Sequence, residues 1–220
     1  MLIQPYCMEE VKNKYDALKR PGGNEITDRA LSVCMFPVDA KILDIGCGSG
    51  ATVRYLKTKY NYNSFGIDIN SEKEEKDENI LKATAEDTPF ETASMDGVIM
   101  ECSYSLMHDQ EKVLQECCRV LKTSGKLIIS DMYAWGEAAH FAGCLGHLDT
   151  KDNIMAMLAN HGFEVSFFED FSFHLQTLWG QMIMEKGAAS FYCGLQTDAE
   201  TLKRVKCGYF LLVASKTNKP

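Results

Sequence analysis

The sequence has no run of the 18 or so apolar residues that a membrane-spanning helix needs. Its opening, Met1-Leu2-Ile3-Gln4-Pro5, has neither the basic start nor the apolar stretch of a secretory signal, so no signal peptide is expected. Positive charge is not in excess: 23 Lys and Arg stand against 31 Asp and Glu, a formal net charge of -8. An acidic surface repels phosphate backbones, which argues against a nucleic-acid partner, and the Lys203-Arg204-Val205-Lys206 cluster is too short to reverse that. No two cysteines have C-x-x-C spacing, and the adjacent Cys117 and Cys118 would point about 100° apart on a helix, a poor clamp for a metal. The nine cysteines are odd in number and scattered through apolar segments. That fits a reducing, cytoplasmic compartment better than a disulfide framework. There is no internal repeat and no low-complexity tract. What remains is an ordinary globular composition, 45% hydrophobic and 25% charged over 220 residues, enough for one domain with a full core.

Residues 6–20 read as a helix, with Met8, Val11, Tyr15 and Leu18 near a three-to-four spacing, broken by Pro21-Gly22-Gly23. A second helix is expected over 25–35. Then the pattern alternates. Strands are expected at 41–45, 64–69, 80–84, 97–101 and 126–131, with helices at 51–59 and 109–121. The charged segment 71–79 reads as a solvated helical face. Such alternation predicts an α/β domain whose parallel sheet carries helices on both faces. Later strands are expected at 163–169 and 208–214. Two stretches exceed minimal alternation, 132–148 and 171–201, and both read as helical cap insertions over the carboxyl edge of the sheet. The chain is thus expected to be a single domain: N-terminal helices to residue 40, a cofactor-binding half over 41–131 and a substrate-side half over 132–220.

Ligands of an open parallel sheet sit outside the carboxyl ends of the strands, where strand order reverses. Asp44-Ile45-Gly46-Cys47-Gly48-Ser49-Gly50 falls right after the first expected strand. Glycines there let backbone approach a ligand, and the next helix offers free N–H groups and a positive dipole end. Gly46 to Ala51 also satisfies the G-x-G-x-x-A form of dinucleotide sites, so the loop alone leaves a nicotinamide enzyme open. Asp44 argues for a ligand with an ammonium or sulfonium, because a dinucleotide fold has an apolar strand residue there and a pyrophosphate would be repelled. Asp68, 18 residues after Gly50, is placed to accept hydrogen bonds from ribose hydroxyls under either reading.

Five segments in order carry a family resemblance. Residues 42–50 resemble motif I of the class I S-adenosylmethionine-dependent methyltransferases. Gly66-Ile67-Asp68-Ile69 resembles their ribose-binding motif, and Ala85-Glu86-Asp87-Thr88-Pro89-Phe90 the segment that packs on adenine. Residues 95–102 resemble the fourth-strand motif, and Cys118-Arg119-Val120-Leu121-Lys122-Thr123-Ser124-Gly125 the turn before strand five. The sequence is most similar to the small-molecule, "type 11" and ubiquinone-biosynthesis branch. The resemblance implies a Rossmann-like, doubly wound seven-stranded sheet with an antiparallel last strand. It implies S-adenosyl-L-methionine as cofactor and a small-molecule methyl acceptor. The implied cofactor contacts are Asp44, Gly46, Cys47, Gly48, Gly50, Asp68, Ile69, Ala85, Glu86, Asp87, Glu101 and Cys102. Thr84 departs from the family, standing where that branch often has an Asp for the adenine amine. No Asn/Asp-Pro-Pro-Tyr follows the fourth strand, so methylation of nucleic-acid bases is not suggested.

Methyl transfer from a sulfonium requires positioning and exclusion of water, and a base only for a protonated nucleophile. Glu101 and His108 are the catalytic candidates, the first at the end of strand four, the second six residues after Cys102. Tyr133, Trp135, His140 and His147 lie in the first expected cap and are candidates to line a substrate pocket. Phe171, Phe173, His174, Trp179, Met182 and Met184 read as the apolar side of a helix in the second. Two alternatives accompany the transferase reading: a non-catalytic protein that binds S-adenosylmethionine or S-adenosylhomocysteine, and a thiolate-assisted enzyme of the arsenite type using Cys102, Cys144 and Cys193.

Overall fold

The computed structural model describes residues 20–70 and 79–217. The expected helix over 6–20, apart from Arg20, and the charged segment 71–79, apart from Asn79, lie outside the described residues.

Helix α1 (Asn24–Cys34) leads into β1 (Lys41–Ile45), whose residues after Lys41 are all buried. Three of those four are aliphatic, as expected of a strand covered on both faces, and Asp44 is the exception. There follow α2 (Ala51–Tyr60), β2 (Asn63–Asp68), β3 (Ile80–Lys82), β4 (Met95–Glu101), α3 (Gln110–Val120) and β5 (Leu121–Ala134). Two short strands, β6 (Ala139–His140) and β7 (His147–Leu148), precede α4 (Lys151–Asn160) and β8 (Phe163–Asp170). Helices α5 (Ser172–Lys186), α6 (Ala188–Leu195) and α7 (Ala199–Val205) then return the chain to β9 (Cys207–Lys216). Side chains cap three helices: Asp109 accepts from the N–H of Lys112 at 3.1 Å, and Thr150 and Asp198 do the same for α4 and α7.

The sheet runs β3-β2-β1-β4-β5-β9-β8. The first five strands are parallel, and β9 is antiparallel to both its neighbours. The seven strands and the antiparallel last strand are those expected. Strand order reverses between β1 and β4, which fixes the ligand edge at their carboxyl ends. One core layer packs Leu43, Val98 and Ile129 with Leu114, Val113 and Leu158. The other packs Ile42, Ile99 and Leu211 with Ile26, Leu56 and Leu175.

Several boundaries depart from the sequence reading. Residues 132–148 are not a helical cap. The first three extend β5, which pairs with β9 from Lys126 to Ala134, and the rest hold the β6–β7 hairpin. Glycine accounts for this: Gly146 has φ 63°, and a Cβ there would lie 2.2 Å from the carbonyl oxygen of Ser105. Strand β3 stops at Lys82 because Thr84 pairs with Asp87 in a tight turn. Helix α4 was not anticipated, although Thr150 caps it and Ile154 and Leu158 share its buried face. The stretch 171–201 is helical as expected, and Phe191, Leu195 and Val205 form a third cluster with Phe141, Leu145, Leu148 and Ala134. Phe173 and Met184, expected on the apolar side of that cap, face solvent instead. Among the described residues no helix is long and apolar enough to cross a membrane.

Candidate functional site

Strand β1 delivers Ile45 to the sheet edge, and the chain turns at once. The N–H groups of Gly46 and Cys47 both donate to the carbonyl of Ile67, at 2.8 and 3.0 Å, tying the loop to β2. Gly46, at φ 76°, cannot be replaced without collision, because a Cβ would sit 2.5 Å from that of Ser103. Gly48, at φ 53°, has nothing within 4 Å of its Cβ direction, so its backbone faces open space where a ligand can approach. Its N–H donates to the Asp68 carboxylate at 2.9 Å, and Asn70 N–H donates to the other oxygen at 2.8 Å. Asp68 is therefore held at the carboxyl end of β2 with acceptor capacity remaining. Ile69, next to it, is largely exposed.

Asp44 is buried, and no hydrogen bond to its carboxylate forms among the described residues. Burial, then the charge of Glu101, raises its pKa from 3.8 to about 8. The Arg20 cation opposes this and Asp68 adds to it. A buried carboxylate is costly unless something pairs with it. The donor set thus fits a ligand that brings a positive charge or N–H donors to the glycine loop.

Glu101 ends β4 nearby, with 3% of its side chain exposed. It accepts from the hydroxyls of Thr27 at 2.8 Å and Thr52 at 2.9 Å, and pairs with the Arg20 guanidinium. Arg20 also donates to both threonine hydroxyls and to the carbonyl of Gly23. The segment before α1 is thereby fastened across the carboxyl edge of β4. Sequence reading singled out Glu101 but missed Arg20, Thr27 and Thr52. The one signal was Arg20-Pro21-Gly22-Gly23-Asn24, which reads as a helix–helix turn or as backbone that closes over the cofactor's methionine end.

Cys102 follows with φ 53°, its Sγ 3.1 Å from the Tyr209 hydroxyl. Burial, then the nearby Asp131, raises its thiol to about 12, so it is not a thiolate near neutral pH. Asp131, raised to about 6 by burial against its hydrogen bonds, accepts from the N–H and hydroxyl of Ser105. It fixes the short turn Tyr104–Leu106 after β4. His108 is exposed beside Asp109, the α3 cap, outside the network around Glu101.

On the other flank, Ala85 is buried, Glu86 half-buried and Asp87 exposed. Their turn is anchored from α3: Glu116 accepts from the N–H and hydroxyl of Thr88, both at 2.7 Å, and pairs with Arg119. Burial would raise the Glu116 carboxyl, but the bonds from Arg119 and Thr88 hold it below its ordinary value. Among the described residues no group of three or more His, Cys, Asp or Glu is arranged to hold a metal. Cys102 packs on Tyr209, Cys144 joins the third core cluster and Cys193 is exposed on α6, so the thiolate-assisted alternative has no cluster to rest on there.

A family model described as a methyltransferase domain matches residues 43–129, from β1 through most of β5. The sarcosine/dimethylglycine N-methyltransferase of Halorhodospira halochloris is 27% identical over 77% of this chain and 68% of its own length. The demethylmenaquinone methyltransferase of Thermotoga maritima is 27% identical over 72% of this chain and 87% of its own. In fold, the chain resembles Haemonchus contortus phosphoethanolamine N-methyltransferase 2, solved in complex with S-adenosyl-L-methionine, with a TM-score of 0.75 at 16% identity. That likeness covers 97% of this chain and 57% of that one. With its strand order and its glycine loop at the β1 edge, the chain has the fold of these methyltransferases and matches a methyltransferase domain over residues 43–129.

Proposed function

We propose that the chain transfers the methyl group of S-adenosylmethionine to a small-molecule acceptor by in-line displacement. The observation that carries this reading is Asp44, a buried carboxylate without a hydrogen-bond partner among the described residues, facing a loop whose Gly48 is open to a ligand. Bound there, the cofactor supplies an electrophilic methyl on a sulfonium. The chain supplies placement: Asp44 and the backbone of Gly46, Cys47, Gly48 and Gly50 take the amino-acid end, and Asp68 takes the ribose. Ile69 and the turn Ala85-Glu86-Asp87 enclose the adenine, with the backbone replacing the side chain that Thr84 does not offer. Glu101 and Cys102 form the floor beside the methyl. Glu101 acts there through Arg20, Thr27 and Thr52, keeping the pre-α1 segment closed over the reacting centre, and His108 takes no proton. Acceptors lie under α5–α7, which exclude water from the displacement. A protein acting on small molecules needs neither a nucleic-acid nor a membrane partner, and nine cysteines, odd in number and scattered, suit the cytoplasm.

The test is transfer of labelled methyl from S-adenosylmethionine into a fractionated metabolite extract. Label is expected in a low-molecular-weight fraction. Tight cofactor binding with no label in any fraction would replace this reading with that of a non-catalytic binding protein.

A further inference from the structure

A cleft of about 430 Å3 opens at the carboxyl edge of β5 and β8, walled by Trp135, Ser172, Gln176, Lys206 and Cys207. It is linked to the end of β4 through one residue. Tyr209 donates its backbone N–H to the Ser172 hydroxyl at 3.1 Å, and its own hydroxyl meets Cys102 Sγ at 3.1 Å. The cleft is therefore one tyrosine away from the end of β4.

Its walls are built rather than accidental. Trp135 N–H donates to the Lys206 carbonyl at 3.1 Å, continuing the β5–β9 ladder by one rung and setting the two residues side by side. The indole leans on Tyr133, ring centroids 5.4 Å apart, with Nε1 3.5 Å from the Ser172 hydroxyl. Ser172 is locked in turn by donation to Asp170 at 2.6 Å, and the buried Tyr133 hydroxyl donates to the same carboxylate. Gly208 makes room for this arrangement, since a Cβ there would lie 2.8 Å from Trp135 Nε1. One edge of the indole is thus pinned, yet 62% of Trp135 is exposed. An exposed but oriented tryptophan offers a rigid apolar face. Lys206 is exposed, and its ammonium forms no ion pair among the described residues. Lys203 and Arg204 stand close by in the last turn of α7, a local basic cluster on a chain of net charge -8. Gln176, one helical turn after Ser172, adds an amide at the mouth.

We infer that this cleft binds the methyl acceptor by a flat unsaturated ring stacked on Trp135 and an anionic group, carboxylate or phosphate, paired with Lys206. The inference rests on the reading of the chain as a small-molecule methyltransferase. A cationic acceptor is disfavoured because a cation over the indole would lie beside Lys206.

The chain has two tryptophans, so a 1H–15N spectrum carries two indole signals, assigned by Trp135→Phe, with Trp179 as internal control. The probes are benzoate, phenyl phosphate, benzamide and sarcosine, each added to the full chain with S-adenosylhomocysteine present. Benzoate or phenyl phosphate is expected to move the Trp135 signal saturably and to leave Trp179 in place. Benzamide should bind about tenfold more weakly, the loss of one charge-assisted contact. Lys206→Gln should remove that difference, while S-adenosylhomocysteine affinity stays unchanged as the check on folding. The tighter of the two anions identifies carboxylate or phosphate as the partner of Lys206. Equal binding of benzamide and both anions, a Trp135 signal that answers to sarcosine alone or to no probe, or an undiminished response in Lys206→Gln would overturn the inference. Anion binding at Trp135 with no methyl transfer to any metabolite would leave the cleft assignment standing and defeat the transferase reading instead.

Discussion

Asp44 and Glu101 are two carboxylates buried within reach of a single cation, Arg20. For Asp44, the consequence is a pH-dependent cost. Its pKa is raised by burial from 3.8 to about 8, so its contribution is fully present below 3.8 and is lost as pH rises through about 8, where the folded form must ionise. Asp44→Asn should therefore stabilise the cofactor-free protein against urea at neutral pH and above, with the gain vanishing near pH 4. A constant difference across that range would contradict the assignment. Arg20 and Glu101 behave in the opposite sense. Removing either partner strands the other, so Arg20→Met and Glu101→Gln should each cost about 3–5 kcal/mol, while the double variant costs less than their sum. Additive losses in urea melts would show the two residues to be uncoupled. The contrast also marks what a sequence discloses. Asp44 and the glycines were legible because strand, turn and loop are contiguous. The Arg20 network was not, because Thr27 and Thr52 reach Glu101 across 74 and 49 residues and only the folded sheet edge brings them together.

At the level of elements, strand and helix periodicity located β1, α2, β2, β4, α3, β8 and β9 to within a few residues. It failed where glycine and aromatic residues mix without a period. Residues 132–148 look like cap material in a list of side chains, yet Gly146 is set in a left-handed turn against the backbone of Ser105. Gly146→Ala should cost about 2 kcal/mol or more, combining that clash with an unfavourable φ. Gly180 provides the converse. It lies inside α5 with nothing within 4 Å of its Cβ direction and no positive φ, so Gly180→Ala should stabilise by about 0.5–1 kcal/mol. Thermal melts of the two variants should shift in opposite directions, by roughly 2–4 °C per kcal/mol for a chain of this size. Shifts of the same sign would mean that the hairpin and α5 are not built as described.

Across the whole molecule, the sheet order sends every functional segment to one edge. Strands β1, β2, β4 and β5 end there, β8 runs the same way, and β9 begins there after α5–α7. This is why a cofactor loop near residue 46 and a cap near residue 180 share one surface. The α/β class was readable from alternation, and the five ordered motifs carried the family resemblance that implied the seven-stranded sheet with its antiparallel last strand. Of the proposed acceptor cleft only Trp135 was singled out from the sequence, because Ser172 and Lys206 come from other elements that the fold brings beside it. The central claim, that S-adenosylmethionine sits on the glycine loop with its positive charge against Asp44, is tested most directly by calorimetric titration of S-adenosylmethionine and NAD into the wild type and Asp44→Ala. One molecule of S-adenosylmethionine per chain should bind the wild type, NAD should not, and the variant should lose affinity by about tenfold to a hundredfold, the worth of one hydrogen bond to a charged group. Equal affinity in the variant, or binding of NAD in place of S-adenosylmethionine, would contradict it.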